Sequence, residues 1–177
     1  MTPQEYTQLK AFARIDGAIL GVVWIVSFLL CIAGFSNPGM SLPGSLLAVC
    51  SPFIAGTRLV KFRNYALDGV ISFRRAMAYY ILMFFYASLL MALAQYIYFA
   101  YFDNGYVMSY YANTLNMPET QQMIEAAGLS RKEMEEALTQ MQQTSPIVMA
   151  LNIMTFNITV GIVLSPIAAL FTKKEKR

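Results

Sequence analysis

Residues 58–76, RLVKFRNYALDGVISFRRA, set five cationic side chains, Arg58, Lys61, Arg63, Arg74 and Arg75, around one carboxylate, Asp68, between two long apolar runs. Runs long enough for a hydrocarbon core about 30 Å thick, which takes about 20 helical residues, occupy residues 16–35, 41–60, 76–102 and 147–171. The second run is short and holds Pro43, Gly44, Pro52 and Gly56, so a re-entrant loop competes with a crossing there. Charge separates the two. With four crossings, eleven of the thirteen cations share one side, and only Arg131 and Lys132 lie on the other. A re-entrant second segment would put the quoted cations outside, against the bias of cytoplasmic loops toward Lys and Arg. The quoted stretch therefore reads as a cytoplasmic loop that anchors spans two and three, and both termini read as cytoplasmic.

Composition agrees. Apolar residues make up 57% of the chain and charged ones 13%, against about 45–50% and about 25% in soluble domains. The expectation is a single membrane domain over residues 1–177, with no room for a separate soluble enzyme. The N-terminal MTPQEYTQLKAFARID is too polar for the apolar core of a cleaved signal peptide and reads as retained.

The connections differ in kind. Residues 36–45 are uncharged and carry Asn37-Pro38-Gly39, a turn signal. In the basic loop, Asp68-Gly69 predicts a tight turn and Ser72 an N-cap for the third span. Residues 103–145 carry six acids against two cations, a net charge of −4. So long a connection predicts helices of its own. Pro118 starts one that Gly128 stops near Ala127. Ser130 and Glu133 have capping-box spacing for a second, whose Met134, Leu138 and Met141 recur at i, i+4 and i+7. The fold class expected is an all-α, integral membrane four-helix bundle, with an extracytoplasmic helical hairpin over residues 103–146 between spans three and four.

Lys61-Phe62-Arg63, then Asp68-Gly69-Val70-Ile71-Ser72-Phe73, then an acidic Met-containing insert and a lysine-rich end resemble an uncharacterised Bacteroidota membrane family, domain of unknown function 4199. The resemblance runs from about Asp16 onward. It implies a multi-pass protein of a bacterial inner membrane, and it brings no catalytic, cofactor-binding or metal-binding residue.

The chemistry-bearing residues mostly exclude. The chain has no histidine, so His-based acid–base catalysis, His-activated nucleophiles and the usual zinc sites are closed to it. No Gly-rich phosphate loop occurs, and Cys31 and Cys50 read as small buried hydrophobes. Asp16, beside Arg14 at the end of the first span, reads as an interfacial anchor reached by water or a loop lysine, ahead of a functional ion site. Gln95, Asn152 and Asn157 read as interhelical polar contacts, with a Gln95–Asn152 hydrogen bond expected from matching depth. Gly17-x-x-x-Gly21 and the stripe Asn157, Gly161, Ser165, Ala169 read as close packing within one chain ahead of homodimerisation. Six tyrosines between Tyr96 and Tyr111 read as an interfacial belt. The basic cluster suits anionic lipid head groups; it lacks the aromatic platform that nucleic acid would need.

The leading functional expectation is a non-catalytic accessory protein of the inner membrane. Its partner would be a periplasmic or membrane protein met by the hairpin face Met134, Leu138 and Met141. The alternative is a small oligomeric transporter or channel, with Pro52, Gly56 and Pro166 marking broken helices. An enzyme using Glu119, Glu125, Glu133, Glu135 and Glu136 ranks third, since that spacing is usual for a solvated face.

Overall fold

The structure, a computed structural model, describes residues 1–174; Lys176 and Arg177, counted above with the basic side, lie outside them. Seven α-helices follow one another: α1 (Pro3–Gly34), α2 (Ser41–Ala66), α3 (Phe73–Tyr101), α4 (Tyr106–Leu115), α5 (Pro118–Ala126), α6 (Arg131–Gln143) and α7 (Pro146–Thr172). Among them α1, α2 with the short 3-10 turn before it, α3 and α7 are long and apolar enough to cross a membrane. The chain divides into two compact units, one of Met1–Leu93 with the residues from Ile153 on, the other of Ala94–Asn152.

In the first unit the four long segments begin or end where local chemistry dictates. Helix α1 starts thirteen residues before the expected 16, because Thr2 caps it by accepting from the Glu5 amide while Glu5 accepts from Thr2 N. Its Leu9, Ala13, Asp16 and Leu20 then fall on one buried stripe at helical spacing. Helix α2 continues past the expected 60 to Ala66, because Ala55, Leu59 and Phe62 extend its buried face through the cations. Arg58, Lys61 and Arg63 consequently stand on a helix, and the loop proper begins at Leu67. The turns follow the sequence: Asn37 accepts from the Gly39 amide, and Asp68 and Gly69 take φ of 51° and 80°. Ser72 sits at the N-cap position of α3, its carbonyl accepting from Ala76 N.

Proline inside α2 and α7 is handled in the same way twice. Pro52 cannot donate to the Ala48 carbonyl, nor Pro166 to that of Ile162. The preceding hydroxyl substitutes in each case: Ser51 Oγ donates to Ala48 O at 2.7 Å and Ser165 Oγ to Ile162 O at 2.8 Å. The second segment is thus a continuous helix through Pro52.

Helix α3 lies deepest in this unit, with half of its most apolar stretch buried, and small residues let its neighbours approach. A Cβ on Gly17 would lie 2.7 Å from Met83 O, and one on Gly161 would lie 2.5 Å from Phe84 Cβ. Gly161, Ser165 and Ala169 are all buried, so both small-residue stripes are used up within the chain. The opposite faces are apolar and open, as at Val49, Phe53, Val163 and Phe171, the reverse of a soluble protein and suited to lipid.

The second unit holds three short helices between α3 and α7 where the sequence predicts a hairpin of two. The extra one is α4, drawn from the tyrosine-rich stretch. Asn104 and Gly105 turn the chain with φ of 44° and 79°, and the Asp103 carboxylate accepts from the amides of Gly105 and Val107 to start the helix. Helix α5 begins at Pro118 and ends at Ala126, closed off at Gly128, where Leu129 N donates to Ile124 O and Gly128 N to Glu125 O. Ser130 accepts from the Glu133 amide at the start of α6.

Replacing Gly161 by alanine should force α7 away from Phe84 and cost about 1–3 kcal/mol. Thermal unfolding in detergent measures it, and an unchanged midpoint would contradict the α3–α7 contact.

Candidate functional site

A carboxylate removed from water among long apolar helices needs a cation and hydrogen-bond donors. Asp16 has both. It lies on α1 only 4% exposed. One oxygen accepts from Arg58 of α2, with Nε at 2.7 Å and Nη2 also in contact; the other accepts from the Tyr79 hydroxyl of α3. Tyr79 is fully buried and stacks on Phe62, ring centroids 4.3 Å apart and 9° from parallel. Three helices are therefore joined at one carboxyl side chain, and the Tyr79 hydroxyl is the one uncharged donor in the set. Chemically the arrangement can hold a neutralised ion pair or, if the pair opens, offer a carboxylate with a phenolic proton beside it.

A second layer surrounds it. Arg75 donates from Nη2 to Gln8 Oε1 at 3.0 Å and from Nη1 to Glu5 Oε1 at 3.3 Å, and its guanidinium carbon stands 6.0 Å from the Phe62 ring centroid. Gln8 Nε2 donates to Ala66 O, and Arg63 Nη1 to Thr172 O at 2.9 Å, which satisfies a carbonyl at the end of α7. A single two-residue bridge pairs Ile71 with Lys174 through both backbone amides. Outside the apolar stretch of α1, the Thr2 amide holds the Glu5 carboxyl below the usual carboxylate range.

The expected anchors thus divide. Lys61 and Arg74 are exposed, whereas Arg58, Arg63 and Arg75 are committed to partners in the protein. Asp16 is not the solvated anchor expected beside Arg14, because α1 starts early enough to place it four turns in, on the buried stripe. The 4-3-4 spacing of Leu9, Ala13, Asp16 and Leu20 carried that signal.

The polar contacts expected higher in the spans need correcting too. Gln95 is buried with Oε1 making no hydrogen bond, and Asn152 is exposed, so no Gln95–Asn152 bond forms. Asn157 is half-buried and lines a cavity of about 360 Å³ with Trp24, Ser27 and Phe84. Ser27 Oγ donates to the Gly44 carbonyl at 2.7 Å, a contact between α1 and α2 with no sequence motif to announce it. Cys31 and Cys50 are free thiols, half-buried and exposed respectively.

In the second unit α6 packs against α4 and α5. Met134 and Leu138 are half-buried, while Met141 is 47% exposed. Arg131 pairs with Glu135 and Lys132 with Glu136 along α6. Glu119, Glu125 and Glu133 are exposed and form no ion pair among the described residues. A shallow cavity of about 350 Å³ is lined by Asp103, Ser109, Gln142 and Thr144 among others.

Residues 16–174 match the family described as Protein of unknown function (DUF4199), and the chain belongs to it. No curated protein and no solved structure matches the chain.

Arg58→Leu alone leaves Asp16 buried without its cation and should cost on the order of 3 kcal/mol. Adding Asp16→Leu should recover most of that loss, as read from unfolding midpoints in detergent. Equal losses in the single and double variants would show that the two residues are not coupled.

Proposed function

We propose that this DUF4199 member is a non-catalytic, multi-pass protein of a bacterial inner membrane, with both termini cytoplasmic, that binds a protein partner through its acidic extracytoplasmic insert. The observation that carries the reading is the surface of the three-helix insert. It exposes Met123, Leu129 and Met141 beside the unopposed carboxylates Glu119, Glu125 and Glu133. Flexible thioethers with an acidic surround suit an apolar partner surface with a basic rim. The open part of the Met-rich seam is Met141, since Met134 and Leu138 serve the packing of the insert itself. Absence of histidine from the chain and the commitment of Arg58 to the Asp16 carboxylate favour binding over catalysis.

A second reading, an oligomeric transporter or channel, is favoured by one observation: Asp16, Arg58 and Tyr79 form the kind of buried ionisable cluster that proton and ion paths use. Four helices enclose little, so this reading needs several copies. Flux in liposomes that disappears with Asp16→Asn would move it ahead.

Two results test the leading reading. Native mass spectrometry after mild extraction should show a stoichiometric protein partner that is lost in a Met123→Ser/Met141→Ser double variant; a partner retained there would refute the insert's role. In a background lacking Cys31 and Cys50, a cysteine at Lys61 should be labelled only from the cytoplasmic side and one at Glu125 only from outside. The opposite pattern would invert the topology.

A further inference from the structure

Between α2 and α7 the outer surface of the first unit is hollow. Gly56 and Val60 of α2 face Leu164, Ile167 and Phe171 of α7 across a groove of about 780 Å³ with a predominantly apolar lining. Gly56 opens it: a Cβ there would have nothing within 4 Å. Pro52 stands at one end and Lys61 at the other. The nine helical steps from one to the other span about 14 Å, close to half of a hydrocarbon core about 30 Å thick. The groove is therefore one leaflet deep, with a cation at the level where head groups lie. Lys61 is exposed and forms no ion pair among the described residues, and Lys173 follows directly on Thr172, the groove's last residue on α7.

We infer that this groove is a binding site for one anionic phospholipid of the leaflet on the basic side, its acyl chain lying over Gly56 and its phosphate at Lys61. A second copy of the chain would cover both leaflets and bring a second Lys61 or its equivalent into the bilayer surface; the single-leaflet depth and the unopposed cation fit a lipid better. The inference is independent of what the insert binds.

Native mass spectrometry of the detergent-solubilised full chain, titrated with phosphatidylglycerol and with phosphatidylcholine of the same acyl chains, tests it. One phosphatidylglycerol should bind preferentially, on the order of fivefold over phosphatidylcholine for a single cation near the head group. Gly56→Leu projects into open space and removes a helix-interior glycine, so its unfolding midpoint should be no lower than the wild type's while the one-to-one adduct disappears. Lys61→Gln, at an exposed position, should keep an adduct but lose the preference. Equal binding of the two lipids by the wild type would overturn the inference. So would an adduct indifferent to both substitutions, or a dimer that Gly56→Leu dissociates.

Discussion

The Asp16 carboxylate constrains everything packed around it. A carboxyl group held away from water is tolerable only if its partners are fixed, and its partners come from two other helices. Arg58 can reach it only if α2 stays helical through Pro52 to the end of its apolar run, and Tyr79 only if α3 passes close to α1. That approach is what Gly17 and Gly21 permit, since any side chain there would strike Met83, Tyr86 or Leu90. One charge, two donors and two missing side chains thus fix the mutual positions of α1, α2 and α3.

The fourth long helix is attached by different means. Gly161 sits against Phe84, Arg63 holds the Thr172 carbonyl, and the Ile71–Lys174 bridge ties its last turn to the loop between α2 and α3. Helix α7 has few buried positions, so its docking relies on backbone approach and on hydrogen bonds at one end. The cations do more than sit at a surface: Arg63 and Arg75 each close a backbone or side-chain acceptor that would otherwise face a low-dielectric border.

How much of this was legible depended on the range of the signal. The spans could be read because lipid demands long apolar runs, and the turns at Asn37-Pro38-Gly39 and Asp68-Gly69, like the limits of α5, because they rest on a few adjacent residues. Helix α4 was obscured because its tyrosines satisfy an interfacial pattern as well as a helical one, and its start depends on the Asp103 side chain folding back on two amides. Pairings between distant helices were the weakest part. Depth along a span placed Gln95 level with Asn152, but depth does not fix rotation about the helix axis, and Asn152 turned outward. For Asp16 the rotation was legible from the stripe of Leu9, Ala13 and Leu20, yet the partner was not, because Arg58 had been assigned to a loop.

The two Ser-Pro pairs give α2 and α7 a property that α1 and α3 lack. In each, one rung of the main-chain ladder has been replaced by a hydroxyl that rotates about a single side-chain bond. A bend at that level can be taken up in part by exchanging the hydroxyl contact. The two helices so equipped are the two walls of the apolar groove, while Asp16 ties α1 to Tyr79 of α3 and to Arg58 of α2. A bend at Pro166 would alter the width of the groove without touching the Asp16 contacts, all of which lie on α1, α2 and α3.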